Sequence, residues 1–282
     1  MSLDLETFSS TDLTKCGVYK YTEADDFEIL LLSYSINNGP VEVVDLARGE
    51  PLPTFLVEAI KSEEVIKFAY NATFERICLS RYLGLPTGSY LSPKSWRCTM
   101  TWSAYLGLPF ALQQVGEVLK LDKQKLREGK DLIRYFCVPC KPTLKNGYRN
   151  RNFYFHDEEK WDIFKQYNLR DVETEMAIQQ RLAKYPVPEF VWEEYHLSEL
   201  INDRGVRIDG ILVERAIEFD NKVREENIAS LQNLTQLENP NSVLQLKQWL
   251  MENEVKTDSL GKKEVIQILG TADDRVVKEV LR

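Results

Sequence analysis

The sequence predicts an α/β domain followed by an all-helical segment. Short apolar runs of strand type, separated by turn residues, fill the N-terminal part. Helical spacing dominates from Cys98 to Ala183. Beyond Pro188 the strand-type runs stop, and amphipathic, charge-rich helical patterns follow. Pro186 and Pro188 interrupt the pattern between the two regimes, so the domains are expected at 1–187 and 188–282.

Taken in order, Met1 to Phe8 reads as the first strand. Phe27 to Ile36 is a long apolar strand, Asn37-Asn-Gly-Pro40 a turn, and Val41 to Leu46 the next strand. These three strands suggest an antiparallel meander. Pro53 to Ser62 has helical spacing, and Val65 to Ala69 reads as a short buried strand. It runs through Asn71 into a helix, Ala72 to Tyr82, that ends near Gly84 and Pro86. Leu112–Lys120 and Lys123–Tyr135 are expected as separate short helices, and Cys137 to His156 as irregular. Asp157 to Lys184 is helical throughout, as one helix or two, with Asp157 as N-cap. In the second region, helices are expected at Val191–Asp203, Ile211–Leu234 and Val243–Glu252, with Ser242 as the N-cap of the third, and one more before the end.

The 282 residues, 43% apolar and 11% aromatic, suffice for a real core. The formal net charge of −8 argues against a protein that coats nucleic acid by bulk charge. It leaves room for a nuclease, which needs acids at its centre and only a local basic path. No secretory signal or spanning apolar run stands out, and the five cysteines are an odd number, so a reduced, cytosolic protein is expected. Cys137-Val-Pro-Cys140 has the spacing of a redox or zinc half-motif; two small loop residues are the alternative.

Asp4 and Glu6 stand two apart in an apolar strand and so share a face. Two carboxylates there resist desolvation unless a cation sits between them. Asp4-x-Glu6-Thr7 therefore reads as half of a two-metal site, with two solvated acids at a strand end as the alternative. Tyr70-Asn-Ala-Thr-Phe-Glu75 lies where a strand hands over to a helix, which places Asn71 and Glu75 at the end of the sheet. Tyr167 and Asp171, four apart on a helix, also share a face. Between Lys141 and Arg151 stand Lys141, Lys145, Arg149 and Arg151 without an acid, followed by Phe153, Tyr154 and Phe155. Basic residues interleaved with aromatics suit a single nucleic-acid strand; a solvated loop is the alternative.

In this order, Asp4-x-Glu6-Thr7, Asn71-x-x-Phe74-Glu75 and Tyr167-x-x-x-Asp171 resemble the three exonuclease motifs of the DEDD superfamily, tyrosine subclass. Gly205-Val-Arg-Ile-Asp209 and Asn239-Pro-Asn-Ser242 resemble the start of the thumb in family A DNA polymerases. The phage and prophage branch is the most similar, since it also carries a sequence like Lys141-Pro-Thr-Leu-Lys-Asn-Gly147. The resemblance implies a ribonuclease-H-like mixed sheet flanked by helices, followed by a helical partial thumb. It implies a 3′→5′ proofreading exonuclease that releases nucleoside monophosphates from DNA 3′ ends.

In that reading, Asp4, Glu6, Glu75 and Asp171 hold two divalent metal ions, Mg²⁺ or Mn²⁺. One ion sits on Asp4, Glu6 and Asp171 with an activated water, and the other mainly on Asp4. Tyr167 orients the water, Leu5 and Thr7 shape the pocket for the terminal nucleotide, and Phe74 packs behind it. Asn71, Lys141, Lys145, Arg149 and Arg151 join the nucleic-acid path. The second motif departs from the usual Asp, with Glu75 in its place; phage-type members are similar in this.

The palm and fingers motifs are absent, so a fragment without polymerisation is expected. The implied partners are a single-stranded DNA 3′ end and, in a full-length parent, primer-template DNA. No membrane and no small-molecule cofactor is implied, and the compartment would be the bacterial host cytosol. An RNA-directed exonuclease of the same fold and a catalytically silent binding module are the alternatives.

Overall fold

The computed structural model describes residues 1–121 and 129–281. The chain divides into two units, Met1–Val206 and Arg207–Arg282. The first is built on a five-stranded mixed sheet in the order β3-β2-β1-β4-β5. β1 (Ser2–Phe8) is buried along its length, with Asp4 its one half-exposed residue. It is central, pairing antiparallel with β2 (Glu28–Ser35) and parallel with β4 (Lys67–Ala69). β3 (Glu42–Asp45) completes the meander, and Asn37 and Asn38 take positive φ (51° and 59°) in its turn. Asparagine tolerates that left-handed backbone better than most residues.

Two elements had no sequence signal. Helix α1 (Leu13–Thr22) lies between β1 and β2, but Gly17 at φ 73° and ψ 171° breaks it in two. No continuous apolar stripe therefore marks it. Strand β5 (Trp96–Cys98), parallel to β4, is too short to show an alternation. By contrast α2 (Thr54–Lys61) and α3 (Ala72–Tyr82) lie where the spacing puts them.

Past β5 come α4 (Thr99–Tyr105), α5 (Leu112–Val118) and α6 (Gly129–Phe136). The start of the helix expected from Lys123 lies outside the described residues, and α6 carries its later part. The stretch from 137 to 156 is irregular apart from two 3₁₀ turns, Leu144–Asn146 and Tyr154–His156. Helix α7 (Glu158–Leu182) is single and N-capped by Asp157, whose carboxylate accepts from Lys160 N at 3.1 Å.

Alternation along β1 sorts its side chains between two layers. Leu3 and Leu5 join a core with Leu56, Ile60 and Leu79 of α2 and α3. Asp4, Glu6 and Phe8 face the other way, toward α7, where Phe8 packs with Phe136, Trp161, Phe164 and Tyr167. Helix α7 lies against β1, β2 and β3.

Helix α8 (Glu189–Arg204) follows Pro188 and belongs to the first unit. A buried network ties it there. Arg76 Nη2 on α3 reaches Glu199 Oε2 (2.9 Å) and Asp203 Oδ1 (2.7 Å) of α8. Thr73 Oγ1 donates to Glu199, and Tyr19 OH to Asp203.

The second unit is helical: α9 (Gly210–Thr235), α10 (Val243–Glu252), α11 (Lys262–Thr271) and α12 (Arg275–Val280). Ser242 caps α10 as expected. The final stretch is two helices rather than one, because Ala272 is extended and Asp274 caps a new turn. Trp249, Leu250, Ile268 and Val277 form the core of this unit. Among the described residues no helix is long and apolar enough to cross a membrane. All five cysteines are free thiols.

Candidate metal centre

Alternation along β1 puts Asp4 and Glu6 on the face that α7 covers, and α7 brings Asp171 to them. One carboxylate oxygen from each of these three acids lies within 4.8 Å of the others. Among the described residues this is the one group of three or more acids, cysteines or histidines able to hold a metal ion. Glu6 and Asp171 are buried and Asp4 is half-exposed. The register of β1 against β2 shifts between Glu6 and Thr7, an irregularity of the kind that re-aims side chains beside functional sites.

Neutral donors from elsewhere in the fold hold two of these acids. Asn168 Nδ2 donates to Asp4 Oδ2 (2.7 Å), and Ser33 Oγ of β2 donates to Asn168 Oδ1 (2.5 Å). Both residues are fully buried. The Cys137 thiol donates to Glu6 Oε2 at 3.7 Å. Burial first, then the charge of Glu6, pushes that thiol well up, so it stays a protonated donor. Asn168 and Ser33 were not read from the sequence as site residues, and Cys137 only as half of a redox or zinc spacing. The available signal was a polar residue inside an apolar frame: Ser33 in the run of β2, and Asn168 on the buried face of α7, three before Asp171.

Glu75 sits in the first turn of α3, fully inside the protein, outside the group of three. Its Oε2 has no hydrogen-bond partner among the described residues. Burial, then the negative charge of Asp4, raises its pKa well above the ordinary carboxylate value. A buried acid with an orphaned oxygen beside a second acid is what a bound cation would relieve. The donor set is oxygen only at its centre, which suits hard cations such as Mg²⁺ or Mn²⁺.

Tyr167 is buried against Phe164, with Gly129 of α6 approaching so closely that a Cβ there would strike the phenol ring. Burial and the charges of Asp171, Glu6 and Asp4 raise its pKa. The phenol therefore keeps its proton beside the acids at neutral pH.

Next to Glu6 opens a cavity of about 540 Å³, lined in part by Leu5, Thr7, Tyr21, Phe74, Cys137 and Pro139. It brings Leu5, Thr7 and Phe74 together as a wall beside Glu6. Thr7 Oγ1 bonds Tyr21 OH at 2.9 Å. Asn71 is apart from this wall: it is exposed at the N-terminus of α3, in the left-handed region (φ 79°), and its side chain makes no cap hydrogen bond.

The four basic loop residues divide into two pairs. Lys141 and Lys145 are exposed. Arg149 is turned inward, donating to Asn152 Oδ1 (2.7 Å) and Asn146 O (3.1 Å). Arg151 pairs with Glu28 and lies over the Phe8 ring, 3.8 Å from its centroid. Cys140 Sγ lies 3.3 Å from Arg149 O, and neither it nor Cys137 belongs to a metal-binding group among the described residues.

No protein-family model matches the chain. The DNA polymerase of Bacillus phage SP02 is 48% identical to it over 282 residues, which is the whole of this chain and 43% of the phage protein. The chain thus spans less than half the length of that relative.

Proposed function

We propose that this chain is the 3′→5′ proofreading exonuclease region of a phage-type, family A DNA polymerase, hydrolysing single-stranded DNA from its 3′ end. The observation that carries the reading is the convergence of Asp4, Glu6 and Asp171 from two elements far apart in sequence. The similarity along the whole chain to a phage DNA polymerase supports DNA as the substrate and replication as the setting. The mixed sheet and its order are consistent with a ribonuclease-H-like fold. In this reading 1–187 is the exonuclease domain and 188–282 the first part of a thumb, and the work is done in the host cytosol.

Asp4, Glu6, Glu75 and Asp171 would hold two divalent cations, Mg²⁺ or Mn²⁺. Bound there, the ions supply a water of lowered pKa and offset charge on the leaving 3′ oxygen. Tyr167, protonated and held by its packing, donates a hydrogen bond that orients the attacking water or a phosphate oxygen. No histidine base is required, and neither His156 nor His196 is among the site residues. Leu5, Thr7 and Phe74 shape the wall against which the terminal nucleotide packs. Asn168 and Cys137 keep Asp4 and Glu6 oriented. Asn71 and the basic loop flank the approach of the strand.

The test is digestion of matched DNA and RNA oligonucleotides, side by side, with Mg²⁺ or Mn²⁺. DNA shortened from its 3′ end is expected. Preferential shortening of RNA would move the reading to an RNA-trimming enzyme of the same fold. Loss of neither, by folded protein that also fails to bind Mn²⁺, would leave a silent nucleic-acid-binding module.

A further inference from the structure

The segment after Cys137 is a braced arm at the mouth of the cavity beside Glu6. Val138 and Pro139 line that cavity, and the next residue, Cys140, pairs its N–H with Asn150 O at 2.8 Å. Within the arm, Thr143 and Asn146 cap each other reciprocally, and Asn146 Nδ2 donates to Lys141 O. Asn152 fastens the arm to Tyr135 O at 3.0 Å. The two arginines belong to this bracing. Arg149 bonds Asn152 and Asn146, while Arg151 is clamped by Glu28, Phe8 and Phe153.

What the brace presents outward is different. Lys141 and Lys145 are exposed, and among the described residues neither has an ion-pair partner. Tyr148 is 68% exposed; Phe155 is 57% exposed, with one side of its ring stacked on Phe153. Tyr148 also occupies a left-handed backbone position, φ 58°, that glycine or asparagine takes at lower cost. A large aromatic ring there gains little from burial and carries backbone strain, which is the kind of outlier that points to a role. No acid occurs from Lys141 to Arg151.

We infer that this arm is a preorganised platform for a single nucleic-acid strand entering the cavity, with Lys141 and Lys145 meeting phosphates, Tyr148 and Phe155 stacking on bases, and Arg149 and Arg151 acting as internal braces. The occupant follows from chemistry: exposed cations and exposed rings on one hydrogen-bonded segment, joined to the cavity wall through Val138 and Pro139, match a polyanion with unstacked bases. The inference rests on the exonuclease reading and deepens it, because it divides the basic residues of the loop into contacts and supports.

The experiment is binding of a fluorescein-labelled oligothymidylate to the whole chain in EDTA over a salt series, with hydrolysis by the parent in Mg²⁺ alongside. Each phosphate contact on a single strand contributes about 0.7 to the slope of log K against log salt. K141A/K145A is therefore expected to weaken binding and flatten the slope by about 1.4. Y148N removes the ring while easing the backbone. It is expected to weaken binding about 5- to 150-fold with the slope unchanged and with a melting temperature no lower than the parent's. R151M keeps the apolar packing on Phe8 and loses the charge, so its slope is expected to equal the parent's.

Parent-like binding by Y148N and by K141A/K145A, with the parent hydrolysing the strand, overturns the platform alone. A slope flattened by about 0.7 in R151M overturns the division between contacts and braces. A parent that neither binds nor hydrolyses the strand removes the exonuclease reading beneath it.

Discussion

Replacing Glu75 by Gln should make the protein more stable without metal and less stable with it. Glu75 is buried, one of its oxygens has no hydrogen-bond partner among the described residues, and both burial and Asp4 raise its pKa. A carboxyl whose folded pKa is raised keeps its proton while the unfolded chain releases it. Its penalty therefore appears as pH climbs above the unfolded value, about 4.3 for Glu, and grows through the folded value. An uncompensated buried polar group costs about 1–3 kcal/mol. E75Q should recover part of that in EDTA at pH 8, or roughly 2–4 °C in melting temperature per kcal/mol for a unit of this size. The gain should shrink toward pH 5.

Mn²⁺ should reverse the order. At a hundred times its dissociation constant a cation adds about 2.7 kcal/mol to the parent, and E75Q, one ligand short, should gain less. Tryptophan fluorescence suits the assay, because Trp96, Trp102, Trp161 and Trp192 all lie in Met1–Val206. Equal Mn²⁺ shifts in parent and variant, or an E75Q protein less stable than the parent in EDTA, would refute the placement of Glu75 at the metal centre.

Three further outcomes are expected. N168A should lower Mn²⁺ affinity about 10- to 100-fold, read by calorimetric titration, because it removes the donor that fixes Asp4. R76A should destabilise the first unit by about 3–5 kcal/mol in urea unfolding, since it leaves buried Glu199 and half-buried Asp203 without their cation. Glu175, buried on α7, has its pKa raised to about 7 by burial, opposed by Thr99, Gln179, Ser2 and the N-terminal amine. Its raised value means stability is lost as pH rises from about 4.3 through about 7, and E175Q should flatten that part of the stability profile in urea unfolding.

Much of the site was legible because it rests on short-range periodicities. The i,i+2 spacing of Asp4 and Glu6 and the i,i+4 spacing of Tyr167 and Asp171 each put two candidate site residues on one face without knowledge of the rest. The helix from Ala72 to Tyr82 and the cap at Asp157 were legible for the same reason, since their signals are local. What could not be read depends on partners distant in sequence. Asn168 is an ordinary helix residue until Ser33 and Asp4 flank it, and Cys137 an ordinary loop residue until Glu6 is beside it. The packing of Arg149 against Asn152 and of Arg151 against Glu28 was not legible, because sequence shows sign and not packing. Helix α1 escaped because Gly17 interrupts its pattern, and β5 because three residues carry no period.

The most direct measurement is digestion of a 5′-labelled single-stranded DNA with Mg²⁺ or Mn²⁺, by the parent and by D4A. The expected result is a ladder that shortens from the 3′ end and disappears both in EDTA and in D4A. A ladder that D4A produces as fast as the parent, or no ladder from folded parent with either metal, would contradict it.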